Sequence, residues 1–414
     1  YLDLPIVKPP TDETLFRPSQ RLSGNPILRT DQLLKQNQRA ALVGILGMGK
    51  TTTLRYLTWV YARRPENRLY WRRRELVPFY ARIRDLAQLW TPAERMEGPE
   101  RFVGALAGAV SAQLKGVLGR QNVARVLQHA LERDNALILL DALDEFQASE
   151  AERLEFVTAL QSLWNTPPFR DNHILLTSRP YHFLNPLGFG QYALQNLEED
   201  AERLVSRLGW AVLRIRHELE PERAIDSRLR QLKAAICTPR LQGFWSPLYI
   251  TLMVYLGTGA RSTEEGIALL SNIHRLADLF RYFLKKTVEW EKFKGNDLGV
   301  DDDRGVAALG YIAYHAFVVP AGASAAQQIA EVTGLTREEF MGVRQFWLRT
   351  GLLCEDELRS ILAFQLSGFQ AFGVALALAD MWRRSERSKV KEFRDRHEWD
   401  PEWDLIWELF TGLV

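Results

Sequence analysis

Gly44-Ile45-Leu46-Gly47-Met48-Gly49-Lys50-Thr51 is the stretch on which the fold turns. It satisfies the Gly, four residues, Gly-Lys-Ser/Thr pattern of a phosphate-binding loop. Its flanks match: Ala40 to Ile45 is a short apolar run of strand character, and from Thr51 to Arg63 the residues Leu54, Leu57, Val60 and Tyr61 mark one helical face. Strand, tight loop and helix is the context the motif demands. Gly44, Gly47 and Gly49, with Met48 among them, admit the positive dihedrals and close backbone approach of an anion nest, and the next helix N-terminus faces the same anion. Lys50 adds a mobile cation, Thr51 a hydroxyl ligand for Mg2+, and Thr52 a hydroxyl within reach of an outer phosphate oxygen. A dinucleotide fingerprint fits less well, because Thr52 stands where its third small residue belongs.

Outward from the loop, Leu76 to Ile83, Ala136 to Leu140 and His173 to Thr177 are further short apolar runs. Helical spacing fills the gaps, with Val103, Leu106, Val110 and Leu114 in one and Leu154, Val157, Leu160 and Trp164 in the next. Tyr192 to Leu197 offers a fifth strand. This alternation predicts an α/β fold with a parallel five-stranded sheet covered on both faces. The Ala136 run ends in Asp141-Ala142-Leu143-Asp144-Glu145, and carboxylates closing a buried strand are costly unless a cation lies beyond its tip. Asp141 stands where a Mg2+ ligand belongs, direct or through a bound water; Asp144 and Glu145 would orient or deprotonate a water attacking a γ-phosphate, or else cap the helix starting near Ser149. Leu175-Leu176-Thr177-Ser178-Arg179-Pro180 sets a permanently charged donor, Arg179, at another strand end. His182 follows and reads as a surface or capping group.

Around this core, residues 1–38 read as an entry arm with one short helix near Asp31 to Gln36, and 39–197 as the P-loop NTPase domain. From Glu198 the strand signals vanish, giving a helical domain over 198–295. A polar connector, Asn296 to Arg304, opens a domain over 296–383. Its three helical stretches, Val306 to Phe317, Ala325 to Val332 and Arg337 to Arg349, precede two apolar runs, Gly351 to Cys354 and Leu358 to Phe364. Those runs flank the turn-like Glu355-Asp356-Glu357, so the order resembles a winged helix. Residues 384–414 start a C-terminal helical linker, in which Trp399, Trp403 and Trp407 recur at a helix-face spacing. The start at Tyr1 without Met, and the apolar stripe running up to Val414, lead us to expect a piece of a longer protein.

Composition bounds the function. In 414 residues, 46% apolar and 25% charged, 53 Lys and Arg face 51 Asp and Glu, so a formal charge of +2 gives no reason to expect nucleic acid or an anionic membrane as partner. No apolar run approaches the roughly 18 residues that span a bilayer. The two cysteines, Cys237 and Cys354, lie far apart in apolar segments and fit a reducing, cytoplasmic location.

Taken together the motifs resemble the NACHT family of STAND P-loop NTPases. The resemblance rests on Gly47-Met48-Gly49-Lys50-Thr51-Thr52, Asp141-Ala142-Leu143-Asp144-Glu145 with its small second residue, Leu176 to Pro180, and the second-strand segment Val77 to Leu86. It also rests on Ser246-Pro247-Leu248, where the resemblance implies that Pro247 packs on adenine. Phe364 to Phe372 is similar to the family's winged-helix segment, but Leu366 stands where many relatives have a phosphate-touching His, and Ala371 where Glu is frequent. The resemblance implies ATP/ADP and Mg2+ as cofactors and slow hydrolysis. It implies a switch that ADP holds closed and that self-associates into a homo-oligomer with ATP bound. It implies an N-terminal effector and a C-terminal sensor domain in the full-length chain, and a place in antiphage defence or innate immunity. Two other readings stay open: a continuously cycling AAA+-like ATPase, and an ATPase-linked regulator binding DNA through Arg337 to Arg349.

Overall fold

A strand covered on both faces has no polar side, and Ala136–Asp141 is buried at every position, while Arg39–Val43 is buried at all but its first. The computed structural model describes residues 6–7, 30–45, 47–63, 76–95, 98–114, 117–146, 150–179, 188–195, 197, 200–216, 221–259, 262–318, 325–356, 361–398, 400 and 403–414. Leu46, Pro180, His182 and Trp399 lie outside these residues. The chain divides into two units, Tyr1–Leu197 and Glu198–Val414.

The first unit runs β1 (Ile6–Val7), α1 (Thr30–Gln36), β2 (Arg39–Val43), α2 (Lys50–Arg63), β3 (Val77–Arg82), α3 (Ile83–Leu89), α4 (Pro92–Arg95), α5 (Pro99–Gln113), α6 (Arg120–Glu132), β4 (Ala136–Asp141), α7 (Glu150–Trp164), β5 (His173–Ser178) and β6 (Gly190–Leu194). The sheet order is β1-β6-β2-β5-β4-β3. Strands β2 to β6 form the parallel five-stranded sheet, and β1 adds an antiparallel edge on β6, with Ile6 opposite Leu194. Two residues carry no readable period, so the sequence shows this edge strand only as part of an irregular arm. The fifth strand begins earlier than its apolar run, at Gly190, where a Cβ would stand 3.1 Å from both Asn37 Oδ1 and a Tyr192 ring carbon. Glycine there lets the strand start close beside its neighbour.

Because side chains alternate across a strand, the sheet has two chemically different faces. Ala41, Val43, Phe79, Ala81, Ile138, Leu140, Ile174 and Leu176 join one core with the aromatic side chains of the α3, α5 and α7 layer. Trp90 meets Phe102 edge-on at 5.1 Å, and Phe102 meets Trp164 at 5.2 Å. The alternate residues, among them Tyr80, Leu139, Asp141, Leu175 and Thr177, turn to the other face, where α2 packs through buried Leu54 and Leu57.

The second unit is helical: α8 (Ala201–Arg216), α9 (Glu222–Ile236), α10 (Pro247–Gly259), α11 (Thr263–Ser271), α12 (Leu276–Phe293), α13 (Asp302–Val318), α14 (Ala325–Thr333) and α15 (Arg337–Arg349). A two-stranded antiparallel hairpin follows, β7 (Leu353–Asp356) with β8 (Ile361–Phe364), then α16 (Ser367–Arg383), α17 (Arg387–His397) and α18 (Asp404–Thr411). Two boundaries differ from the sequence reading. Glu355 and Asp356 pair inside β7, with Asp356 opposite Ile361, rather than forming the turn. Helix α13 starts within the expected connector because Asp301 Oδ1 accepts the N–H groups of Asp303 and Arg304, each at 3.1 Å, and so caps it. Phe280 of α12 packs between Phe369 and Phe372 of α16 at 4.9 and 5.2 Å. Trp403 and Trp407 stack at 5.4 Å, as a packed helix face would. Among the described residues no helix is long and apolar enough to cross a membrane.

Candidate functional site

The carboxyl ends of β2, β5 and β4 bring the sequence motifs to one edge of the sheet. Leaving β2, Gly44 donates its N–H to Ser178 O at 3.2 Å, tying the loop to the end of β5. Gly47 and Gly49 have φ of 79° and 88°, the left-handed region that side chains resist. Met48 is buried between them. Lys50 opens α2 and turns its ammonium back onto the loop, donating to Gly44 O and, at 3.2 Å, to Ile45 O. Thr51 is half-buried and Thr52 exposed at the start of α2, the end of a helix where N–H groups face an incoming anion. Thr53 is the buried residue of that turn, and its N–H reaches Gly49 O at 2.8 Å.

Asp141, 2% exposed, ends β4 with both carboxylate oxygens engaged. Oδ1 accepts the Thr177 hydroxyl at 2.7 Å and Oδ2 accepts the Tyr80 hydroxyl at 2.8 Å. Thr177 Oγ1 in turn accepts the Ala142 N–H at 2.8 Å, and Ala142 holds a left-handed conformation with φ 59°. Burial, and then the Asp141 charge, push the Tyr80 phenol well above its usual range, so it stays protonated and donates.

The next turn, Leu143–Glu145, delivers Asp144 to Arg179. Asp144 Oδ2 takes Arg179 Nε at 2.8 Å, and Oδ1 accepts the Arg179 main-chain N–H at 3.1 Å. Asp144 therefore serves Arg179. Phe146 anchors this turn by packing 5.2 Å from Phe156, and the Arg95 guanidinium lies over both rings. Glu145 lies on the turn. In the second unit Pro247 is the first residue of α10, where its missing N–H costs nothing, and Ser246 Oγ caps that helix by accepting the Tyr249 N–H at 3.3 Å.

Sequence reasoning passed over Tyr80 and Thr177. The available signal was parity: Thr177 and Tyr80 both fall on the face of their strands opposite the apolar aromatic side, where a buried hydroxyl needs a partner. Among the described residues no group of three or more His, Cys, Asp or Glu is placed to hold a metal ion. A Thr51 hydroxyl and an Asp141 carboxylate nevertheless are the oxygen donors a hard cation takes when phosphates and waters fill its other positions.

A parallel sheet with a glycine loop feeding α2, and acid and arginine at the ends of neighbouring strands, defines a P-loop NTPase fold. A family model described as NACHT domain, of the STAND P-loop NTPases, matches residues 38–205, the segment that holds the glycine loop, Asp141 and Arg179. No curated protein matches the chain. Among solved structures, the crystal structure of Cdc6p from Pyrobaculum aerophilum is similar at 15% identity over 89% of this chain and 98% of that one, with a TM-score of 0.30.

Proposed function

We propose that this chain is the nucleotide-operated switch of a NACHT signalling protein, binding ATP or ADP with Mg2+ and self-associating when ATP is bound. The observation that carries it is the match to the NACHT domain over the very segment that holds the glycine loop, Asp141 and Arg179 on one sheet edge. In this reading Gly44, Gly47, Met48 and Gly49 cradle the phosphates, Lys50 leaves its loop carbonyls for phosphate oxygens, and Thr51 and Asp141 hold Mg2+. An ion held there would supply positive charge against that of the phosphates. Asp144 holds Arg179, Arg179 donates to the terminal phosphate, and Glu145 orients the attacking water. Pro247 packs on the base.

The second unit we read as a helical domain to residue 295 and a winged helix over 296–383, formed by α13 to α15 and the β7–β8 hairpin, with a helical linker beyond. Leu366, 43% exposed at the N-cap of α16, cannot donate to phosphate, which weakens any closed form that relies on that position. Effector and sensor domains on either side would complete a cytoplasmic defence protein. DNA binding through α15 is disfavoured: its first turn is acidic, Glu339 is engaged in a capping box with Thr336, and Arg344 is tied to Glu355.

Such a switch responds only if its two arrangements bind nucleotide differently; moving from almost all closed to almost all open takes about 5.5 kcal/mol. Light scattering of the chain with ADP and with a non-hydrolysable ATP analogue tests it. Mass should rise with the triphosphate only, and not in Lys50→Ala; assembly indifferent to nucleotide would refute the proposal.

A further inference from the structure

We infer that Tyr80 and Thr177 are positioning residues for the Asp141 carboxylate, and that they set how strongly the site holds a divalent cation. This rests on the nucleotide reading above and adds to it two residues from strands on either side of β4.

The placement follows from register. Leu140 pairs with Leu176, so the next residues, Asp141 and Thr177, stand level on the α2 face. On the opposite flank Arg82 pairs with Asp141, and Tyr80 sits two residues earlier on the same face. A threonine side chain is long enough for the level position; the offset one needs the length of a phenol. Both hydroxyls arrive at hydrogen-bond distance, 2.7 and 2.8 Å, from different oxygens of the same carboxylate.

The proton directions are fixed as well. Thr177 Oγ1 already accepts the Ala142 N–H, so its single proton points to Asp141, and the left-handed Ala142 that supplies this N–H is held in place by the same bond. An almost fully buried carboxylate needs hydrogen-bond donors, and these two supply one to each oxygen. The carboxylate is thereby locked in plane and rotation before any cation arrives. Partners that orient a ligating carboxylate are worth about 10- to 100-fold in metal affinity or activity when removed. Packing alone does not call for either hydroxyl, since phenylalanine and valine fill nearly the same volumes.

The test is a fluorescence titration of the full 414-residue chain with a ribose-labelled ATP analogue, at a series of Mg2+ concentrations and in excess EDTA, alongside the unfolding midpoint. In Tyr80→Phe and Thr177→Val the Mg2+ concentration for half-maximal enhancement of binding should rise about 10-fold, with affinity in EDTA unchanged. Thr177→Ser, which restores the hydroxyl, should behave as wild type. An unaltered Mg2+ requirement in both variants overturns the assignment, as does an equal loss with and without Mg2+, which would mark a purely structural role. If the wild-type chain itself shows no Mg2+-dependent nucleotide binding, the nucleotide reading fails, and this inference with it.

Discussion

Asp144→Asn separates two roles for the carboxylate that pairs with Arg179. Asp144 engages Nε and the main-chain N–H, at 2.8 and 3.1 Å, which leaves the terminal guanidinium nitrogens for an anion. On the proposed reading, Arg179 held this way is presented to the ligand rather than withheld from it. Asparagine keeps one oxygen for the main-chain N–H but sets an amide against Nε, so one charge-assisted hydrogen bond is lost. Such a bond is worth about 1.5–3 kcal/mol, and the lower end applies here because the Arg179 side chain is 22% exposed and its field is partly screened. About 1.5 kcal/mol is roughly 10-fold in affinity, and it should fall on the ligand that reaches Arg179. Calorimetric titration should therefore show a non-hydrolysable ATP analogue binding about 10-fold more weakly to the variant, with ADP nearly unaffected. Equal losses for both nucleotides would mean that Asp144 merely supports the loop. Tighter triphosphate binding would mean that the pair sequesters Arg179, and either result refutes the reasoning.

Lys50→Ala should abolish nucleotide-induced stabilisation, which for wild type is about 2.7 kcal/mol at a ligand concentration 100 times Kd, read as a thermal shift with and without ATP. Asn172→Ala should cost about 3 kcal/mol in denaturant unfolding, at roughly 1 kcal/mol per hydrogen bond. That fully buried amide accepts the Ala136 N–H at 2.8 Å and donates to Leu131 O and Pro168 O at 3.1 and 2.6 Å, closing the start of β4; a negligible loss would contradict this. Burial lowers the pKa of His315 below its usual 6.5, so the unfolded chain binds that proton more readily and stability falls as pH drops below that value. His315→Phe should flatten this part of the acid limb, measured by unfolding at pH values above and below 6.5, and an unchanged slope would exclude His315 as a contributor.

The glycine loop was legible because its chemistry is local: eight consecutive residues carry the dihedral freedom, the cation and the hydroxyl. The buried strands were legible because a strand covered on both faces must be apolar throughout, which short runs such as Ala136 to Leu140 display. Their ends were less clear. Asp141 belongs to β4 itself, and Glu355 and Asp356 to β7, because ladder bonds extend a strand past its apolar residues.

Sequence alone thus determined where the phosphate-loop motif, the buried strands and most of the helices fall along the chain, since these depend on neighbours a few positions apart. Only the tertiary structure decided that β5 lies between β2 and β4, and hence that Thr177 meets Asp141 from 36 residues away and Tyr80 from 61. It also paired Asp144 with Arg179. Lateral strand order is a choice among pairings of similar local quality, settled by how the whole sheet buries its faces, and no local window of sequence contains that information.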